Sequence, residues 1–285
     1  MTQRNVESIF TAPKGLDAPL ISSHDVTRMN VGARMDPFLI ASLFDMKGPV
    51  FPPHPHAGFA VMTYILPESE TGFVNQDSTG FSNVIAPGEL HVTVAGRGLQ
   101  HEETNVVAGK SALGFQIWID LPNDHRQDAP SALHLTDENV PSLVNDTQSI
   151  RVLAGASNGI TSPVDIPTQF RLIDANLKKN APFVQDLTPT ETAYVHVLAG
   201  TVEVDGQMAN AGDVIFTERG NETLAMKAGE QGARFMLFAG EPLHQEPRFG
   251  GPFVASNAEE LAGFKRAFAA GHMGTLTAFA DQKAA

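Results

Sequence analysis

Two short stretches hold the side chains best suited to chemistry. In Phe51-Pro-Pro-His-Pro-His-Ala-Gly-Phe59, His54 and His56 stand two apart in a segment stiffened by Pro53 and Pro55. In Ala95-Gly-Arg-Gly-Leu-Gln-His-Glu-Glu-Thr104, His101 and Glu103 repeat that spacing. Alternate residues of an extended segment share a face, so each pair points one way. The first pair by itself reads as a polar surface turn. Joined to the second, it becomes three imidazoles and one carboxylate, a donor set for a first-row divalent ion such as iron, nickel, copper or zinc. Four protein ligands on a six-coordinate ion leave positions open for O2 or a substrate.

The neighbouring residues read differently. Glu102 faces away from His101 and Glu103 on an extended segment, which places it toward solvent or in a supporting role. His91 either lines the barrel or faces solvent, while His24, His125, His134, His244 and His272 are scattered and read as surface or structural. Phe51, Phe59, Ile117 and Trp118 supply apolar walls for a flat aromatic ligand, although Phe115 and Trp118 also suit a core. Gly155-Ala-Ser-Asn-Gly159 matches a nucleophile elbow in letters, but Ile160-Thr-Ser-Pro163 after it starts a helix poorly, so a Gly/Asn turn is the better account. Arg97, between two glycines, reads as a turn residue.

The elements that must position these groups are short strands. Phe59–Leu66, Gly72–Asp77, Glu89–Ala95, Gly114–Leu121, Ile150–Ala154, Ala193–Leu198, Thr201–Val204, Asp213–Thr217 and Ala233–Ala239 are rich in Val, Ile, Thr and Phe and bounded by turn residues. Their density predicts barrels or sandwiches rather than alternating βα units. One helix is expected late, where Ser256-Asn-Ala-Glu-Glu260 supplies a cap and Leu261, Phe264, Lys265 and Phe268 follow at helical spacing. Ile85-Ala-Pro-Gly-Glu-Leu90 is echoed by Ala209-Asn-Ala-Gly-Asp-Val-Ile215, and the polar segment between Leu121 and Pro141 reads as a linker. Two tandem barrels of similar size, residues 1–135 and 136–285, follow.

Composition narrows the function. Cysteine is absent, which removes disulfides, thiolate nucleophiles and cysteine-ligated zinc. A formal charge of −13 with no basic cluster beyond Lys178-Lys179 disfavours direct binding of nucleic acid or an anionic membrane. No span approaches the roughly 20 apolar residues that cross a bilayer, and Met1–Gly15 has no apolar signal region, so the chain reads as cytoplasmic.

Six stretches, Met35-Asp-Pro-Phe38, His54-Pro-His-Ala-Gly58, Pro87-Gly-Glu-Leu90, Ala95-Gly-Arg-Gly98 with His101 and Glu103, Phe115-Gln-Ile-Trp118 and Gly251-Pro-Phe-Val254, together resemble the pirin family, bicupins of the cupin superfamily. The resemblance spans nearly the whole chain. It implies an all-β fold of two tandem cupin (jelly-roll-type) barrels with a short C-terminal α-helix. It also implies one divalent metal in the N-terminal barrel, foremost Fe(II), with Ni, Cu, Co, Mn or Zn as alternatives, held by His54, His56, His101 and Glu103. The second barrel carries no metal site by the same resemblance; its barrel-strand histidine, His196, has no H-x-H partner. The implied activity is quercetin 2,3-dioxygenase chemistry on a flavonol and O2, with Glu103 as base and Phe51, Phe59 and Trp118 against the substrate. The alternative that the family implies is an iron-dependent, redox-sensing coregulator that acts through protein partners. The chain departs from the family at Ala57, where an arginine is usual, and at Glu89, where Asp is usual. It also departs at Ala60 and Val61, where the general cupin pattern has a glutamate.

Overall fold

The computed structural model describes residues 2–282, which form antiparallel strands with few helices. In the first half these are β1 (Val6–Thr11), β2 (Lys14–Ala18), β3 (Ile21–Thr27), β4 (Phe38–Met46), β5 (His54–His56), β6 (Phe59–Ile65), β7 (Phe73–Asp77), β8 (Ser82–Ile85), β9 (Leu90–Val94), β10 (Leu99–Asn105), β11 (Ala112–Asp120) and β12 (Ser131–Leu135). Strands β12-β9-β6-β11-β4-β3-β2 make a seven-stranded sheet, and β5-β10-β7-β8 a four-stranded one. Strands β6 and β9 are buried at every position, so their inward and outward faces both read as apolar runs.

The second half contributes β13 (Ser142–Val144), β14 (Gln148–Ala154), β15 (Ala156–Ser157), β16 (Ile160–Thr161), β17 (Phe170–Leu177), β18 (Pro182–Asp186), β19 (Thr192–Val204), β20 (Gln207–Asn210), β21 (Asp213–Thr217) and β22 (Thr223–Gly240). Most of them join a sheet ordered β1-β21-β19-β22-β17-β14-β13, with β18 on β22 and β20 on β19. Its core packs Ile150, Val195, Phe183, Phe235 and Leu237.

The compact units are not the contiguous halves that the sequence suggested. One comprises the N-terminal residues through Pro13, Val26–Pro37 and Glu138–Pro242; the other comprises Lys14–Asp25, Phe38–Asp137 and Leu243 onward. The reason is pairing: β1 completes the second-half sheet by bonding β21, and fully buried Arg4 donates to the carbonyls of Thr188, Glu191 and Asn221. The C-terminal segment instead packs Phe253, Ala255, Phe264 and Met273 around Ala57.

The echo between the halves has a shared physical cause. Gly88 and Gly212 take φ of +88° and +89°, a region that favours glycine. In each turn the following acid accepts from a backbone N–H three residues earlier: Ala86 N–H to Glu89 Oε2 and Asn210 N–H to Asp213 Oδ2, both at 2.8 Å. The late helix runs Ala258–Ala269, capped by Asn257, whose side chain accepts from Glu260 N–H; Glu260 in turn accepts from Ser256 N–H and Oγ. Gly155–Gly159 forms the β15–β16 hairpin, with Asn158 and Gly159 at positive φ as a tight turn requires. Among the described residues no helix is long and apolar enough to cross a membrane.

Candidate metal centre and its pocket

Strand register brings the predicted histidines together. In the β5–β10 pairing His54 lies opposite His101, and His56 opposite Leu99. Opposed residues of antiparallel strands share a face, and so do residues two apart. The three rings therefore converge, with centroids 4.6–4.8 Å apart. One ligand atom from each lies within 4.8 Å of the others, the one such group among the described residues. His56 and His101 are buried and His54 is half-buried.

The donors suit a cation. His54 Nδ1 is 2.9 Å from the Pro52 carbonyl oxygen, an atom that only accepts, so Nδ1 carries the proton and Nε2 the lone pair. That Nε2 lies 3.1 Å from His101 Nε2. Nitrogens so spaced subtend roughly a right angle at an ion about 2.1 Å from each. His101 Nδ1 is buried with no hydrogen-bond partner among the described residues, whereas Nε2 of the same ring faces His54 Nε2 and is the atom that an ion between them would meet. Burial holds all three imidazoles below their ordinary pKa; His56 falls to about 3, with His54 adding to the effect, and His101 lies well below its usual value. Neutral rings with free lone pairs are what a divalent ion needs.

Glu103 stands beside this trio rather than in it. It lines the same cavity as His54 and His56, but its oxygens accept from Thr63 Oγ1 at 2.8 and 3.0 Å. Gln116 Nε2 donates to Thr63 Oγ1 and to the Met62 carbonyl, both at 3.1 Å, and so fixes the hydroxyl. Burial raises the Glu103 carboxyl to about 7, against the opposing pull of the Thr63 hydroxyl.

A cavity of about 320 Å³ opens on these groups, walled by Ile21, Ile40, Phe44, Phe51, Phe73 and Trp118. Phe51 and Trp118 line this cavity. Phe59 does not: it is fully buried behind them, 4.3 Å from the Trp118 ring and 5.2 Å from the His56 ring. Ile117 points to the other face of β11 and is buried in the core. His91 is buried, bonded to Thr93 Oγ1 and facing Asn75. His134 pairs with Glu89 at 3.1 Å, whereas His24, His244 and His272 are exposed.

Glu102 faces outward but is covered: its Oε2 accepts from Gln76 Nε2 and from Phe279 N–H. Sequence reasoning missed Thr63, Gln116, Asp25 and Ser42, all of which touch the cavity or its acid; only the alternation of polar residues along otherwise apolar strands signals them.

Family models for pirin match residues 21–119, and for the pirin C-terminal cupin domain residues 172–274. Over 237 residues the chain is 30% identical to Pirin-like protein 2 of Arabidopsis thaliana, covering 80% of this chain and 72% of that one. The chain belongs to the pirin family. Another relative of this pirin, a Pseudomonas aeruginosa protein provisionally named as a quercetin 2,3-dioxygenase, is 31% identical over 248 residues, 81% of this chain and 84% of its own. The fold matches the crystal structure of a quercetin 2,3-dioxygenase from Acinetobacter baumannii with a TM-score of 0.86 at 20% identity, over 97% of this chain and all of that one. Both cupin domains of a pirin are therefore present. Where pirins usually carry arginine, Ala57 is fully buried against Phe253 and Phe264, off the cavity lining.

Proposed function

We propose that this pirin is a mononuclear metal-dependent dioxygenase of the quercetin 2,3-dioxygenase type, which opens the central ring of a flavonol with O2 and releases carbon monoxide. The observation that carries the reading is the meeting of His54, His56 and His101 beside an aromatic-lined cavity whose wall includes His54, His56 and Glu103. His54, His56 and His101 would hold one divalent ion, foremost Fe(II), and Glu103, bonded to Thr63 beside them, serves as the base. Such an ion supplies Lewis acidity toward the flavonol 3-oxygen and a place for O2.

The remaining work belongs to the chain. Trp118 and Phe51 flank the flat rings and, with Ile40 and Phe44, keep water from them. A Glu103 oxygen takes the proton of the 3-hydroxyl, and a carboxyl held near 7 by burial is matched to that task at neutral pH. Thr63 and Gln116 hold the acid in position as the proton moves. The relative provisionally named as a quercetin 2,3-dioxygenase supports the same substrate class.

The test is oxygen consumption and carbon monoxide release with quercetin, using as-purified, metal-stripped and iron-reconstituted protein. Turnover that disappears on stripping and returns with iron supports the reading. Absence of turnover in every form, with a protein partner retained in one iron oxidation state alone, would favour a redox-sensing regulator instead.

A further inference from the structure

His101 stands in a row that crosses three strands. In register, His54 of β5 lies on one side of it and Asp77 of β7 on the other. Opposed residues of antiparallel strands share a face, so the ring has a histidine on one flank and a carboxylate on the other. Its Nε2 lies 3.1 Å from His54 Nε2, on the side where an ion would sit. A neutral imidazole that offers the lone pair of Nε2 carries its proton on Nδ1. That Nδ1 is buried and meets no acceptor among the described residues.

Asp77 presents the complementary group, and it is 3% exposed. Its Oδ1 accepts from Thr79 N–H at 2.7 Å, Thr79 Oγ1 at 2.6 Å and Phe81 N–H at 3.2 Å, and so caps the turn after β7. Its Oδ2 is buried with no donor among the described residues. Two further atoms of this kind adjoin. One is Asn75 Oδ1, two residues along the same face of β7; the other is Nδ1 of His91, whose Nε2 lies 3.4 Å from Asn75 Nδ2. After burial and His134, Asp77 is the group that acts on the His91 ring, raising its pKa. Buried polar groups left unpaired are costly. A small molecule that both accepts and donates removes the cost, and water is the one that fits such a set.

We propose that Asp77 is a positioning residue of the metal centre: an ordered water accepts from His101 Nδ1–H and donates to Asp77 Oδ2, which fixes the tautomer of the ring and aims Nε2 at the ion. Asn75 Oδ1 is the acceptor for the second hydrogen of that water. The carboxylate charge behind the water makes the imidazole a stronger donor to a cation, and outer groups of this kind change metal affinity by roughly ten- to a hundredfold. This inference rests on the reading of His54, His56 and His101 as ligands and adds the group that stands behind one of them.

The probe is Zn(II), titrated into metal-stripped protein against a chelating indicator, with exchange of the ring N–H protons followed by NMR in the zinc-loaded form. Asp77→Asn keeps an oxygen for the turn and puts an NH2 where Oδ2 stood, so the water loses its acceptor. Thr79→Val, at an exposed position, removes one donor to Oδ1, leaves Oδ2 as it is and reads the turn alone. Asp77→Asn should weaken zinc binding roughly ten- to a hundredfold and speed exchange of the His101 Nδ1 proton about tenfold or more, while Thr79→Val stays within about twofold of the wild type in both. A crystal structure of the zinc-loaded wild type, which does not depend on how either variant folds, should place a water within hydrogen-bond distance of His101 Nδ1 and Asp77 Oδ2. Wild-type affinity and exchange in Asp77→Asn, equal losses in Thr79→Val, or no water at that position overturns the proposal. If the wild type takes up no zinc, the metal reading falls together with it; zinc held alike by the wild type and Asp77→Asn removes this inference alone.

Discussion

Glu103 and Thr63 show how one hydroxyl can set the behaviour of a buried acid. The carboxyl sits near 7 because burial disfavours its charge, and Thr63 is the group that pulls the other way. Thr63→Val keeps the shape and removes the donor. We expect it to lower the turnover of iron-reconstituted protein by roughly ten- to a hundredfold while bound metal stays within about twofold, as read by kinetics and metal analysis on the same samples. His91 gives a pH signature of its own. Burial first, and then neighbouring His134, bring its pKa to about 4, below the ordinary value of 6.5 for an unfolded chain. Between those values the unfolded state binds the proton and the folded state does not. The contribution of neutral His91 is therefore full above pH 6.5 and is lost as pH falls toward 4, at up to about 1.4 kcal/mol per pH unit. Denaturant unfolding at pH 7, 6, 5 and 4 should show a steeper loss for the wild type than for His91→Gln. The three histidines were legible because ligand chemistry needs particular residue types at a particular spacing. Thr63, Gln116, Asp25 and Ser42 were not, since Thr, Gln, Asp and Ser are ordinary on strands and acquire meaning from what lies across the sheet.

Strands with alternating or β-branched patterns, such as β6 and β21, were visible in the sequence. Others were hidden for physical reasons. Phe38–Met46 is largely covered along its length and reads as a featureless apolar run rather than an alternation. Thr192–Val204 and Thr223–Gly240 each pair along two stretches, so local turn signals at Gly200 and Gly229 split them into pieces when read without partners. Residues 273–279, after the late helix, have no pattern of their own, yet they latch the outer side of β7 and β10. Ser78 Oγ donates to the Met273 carbonyl, Gln100 to that of Gly274 and Gln76 to that of Thr277, while Phe279 N–H donates to Glu102. Glu102 lies between His101 and Glu103, so this latch holds β10 at the position that aims both side chains inward. Ending the chain after Thr275 should speed amide exchange along Leu99–Asn105 by about tenfold or more and leave the exchange of Phe170–Leu177 unchanged. Equal protection of Leu99–Asn105 in both forms would remove the latch from the account.

At the scale of the molecule, composition and strand density were enough to read two β domains, and the turn echo marked their kinship. The crossing of the chain ends was not legible: Val6–Thr11 is a short segment whose partner, Asp213–Thr217, lies some two hundred residues away. Pairing over such separations leaves no local trace. The division of labour follows from the same asymmetry of residues. Among the described residues, the group of side chains that could hold a metal, His54, His56 and His101, belongs to the unit built on Phe38–Asp137, where β5 meets β10. The proposed function therefore expects one ion per chain rather than two. Metal analysis of the purified protein and of His101→Ala tests this most directly. The account expects about one divalent ion per chain in the wild type and a content near zero in the variant, with the fold retained by circular dichroism. A variant that keeps its metal, or a wild type that takes up none under reconstitution, would contradict it.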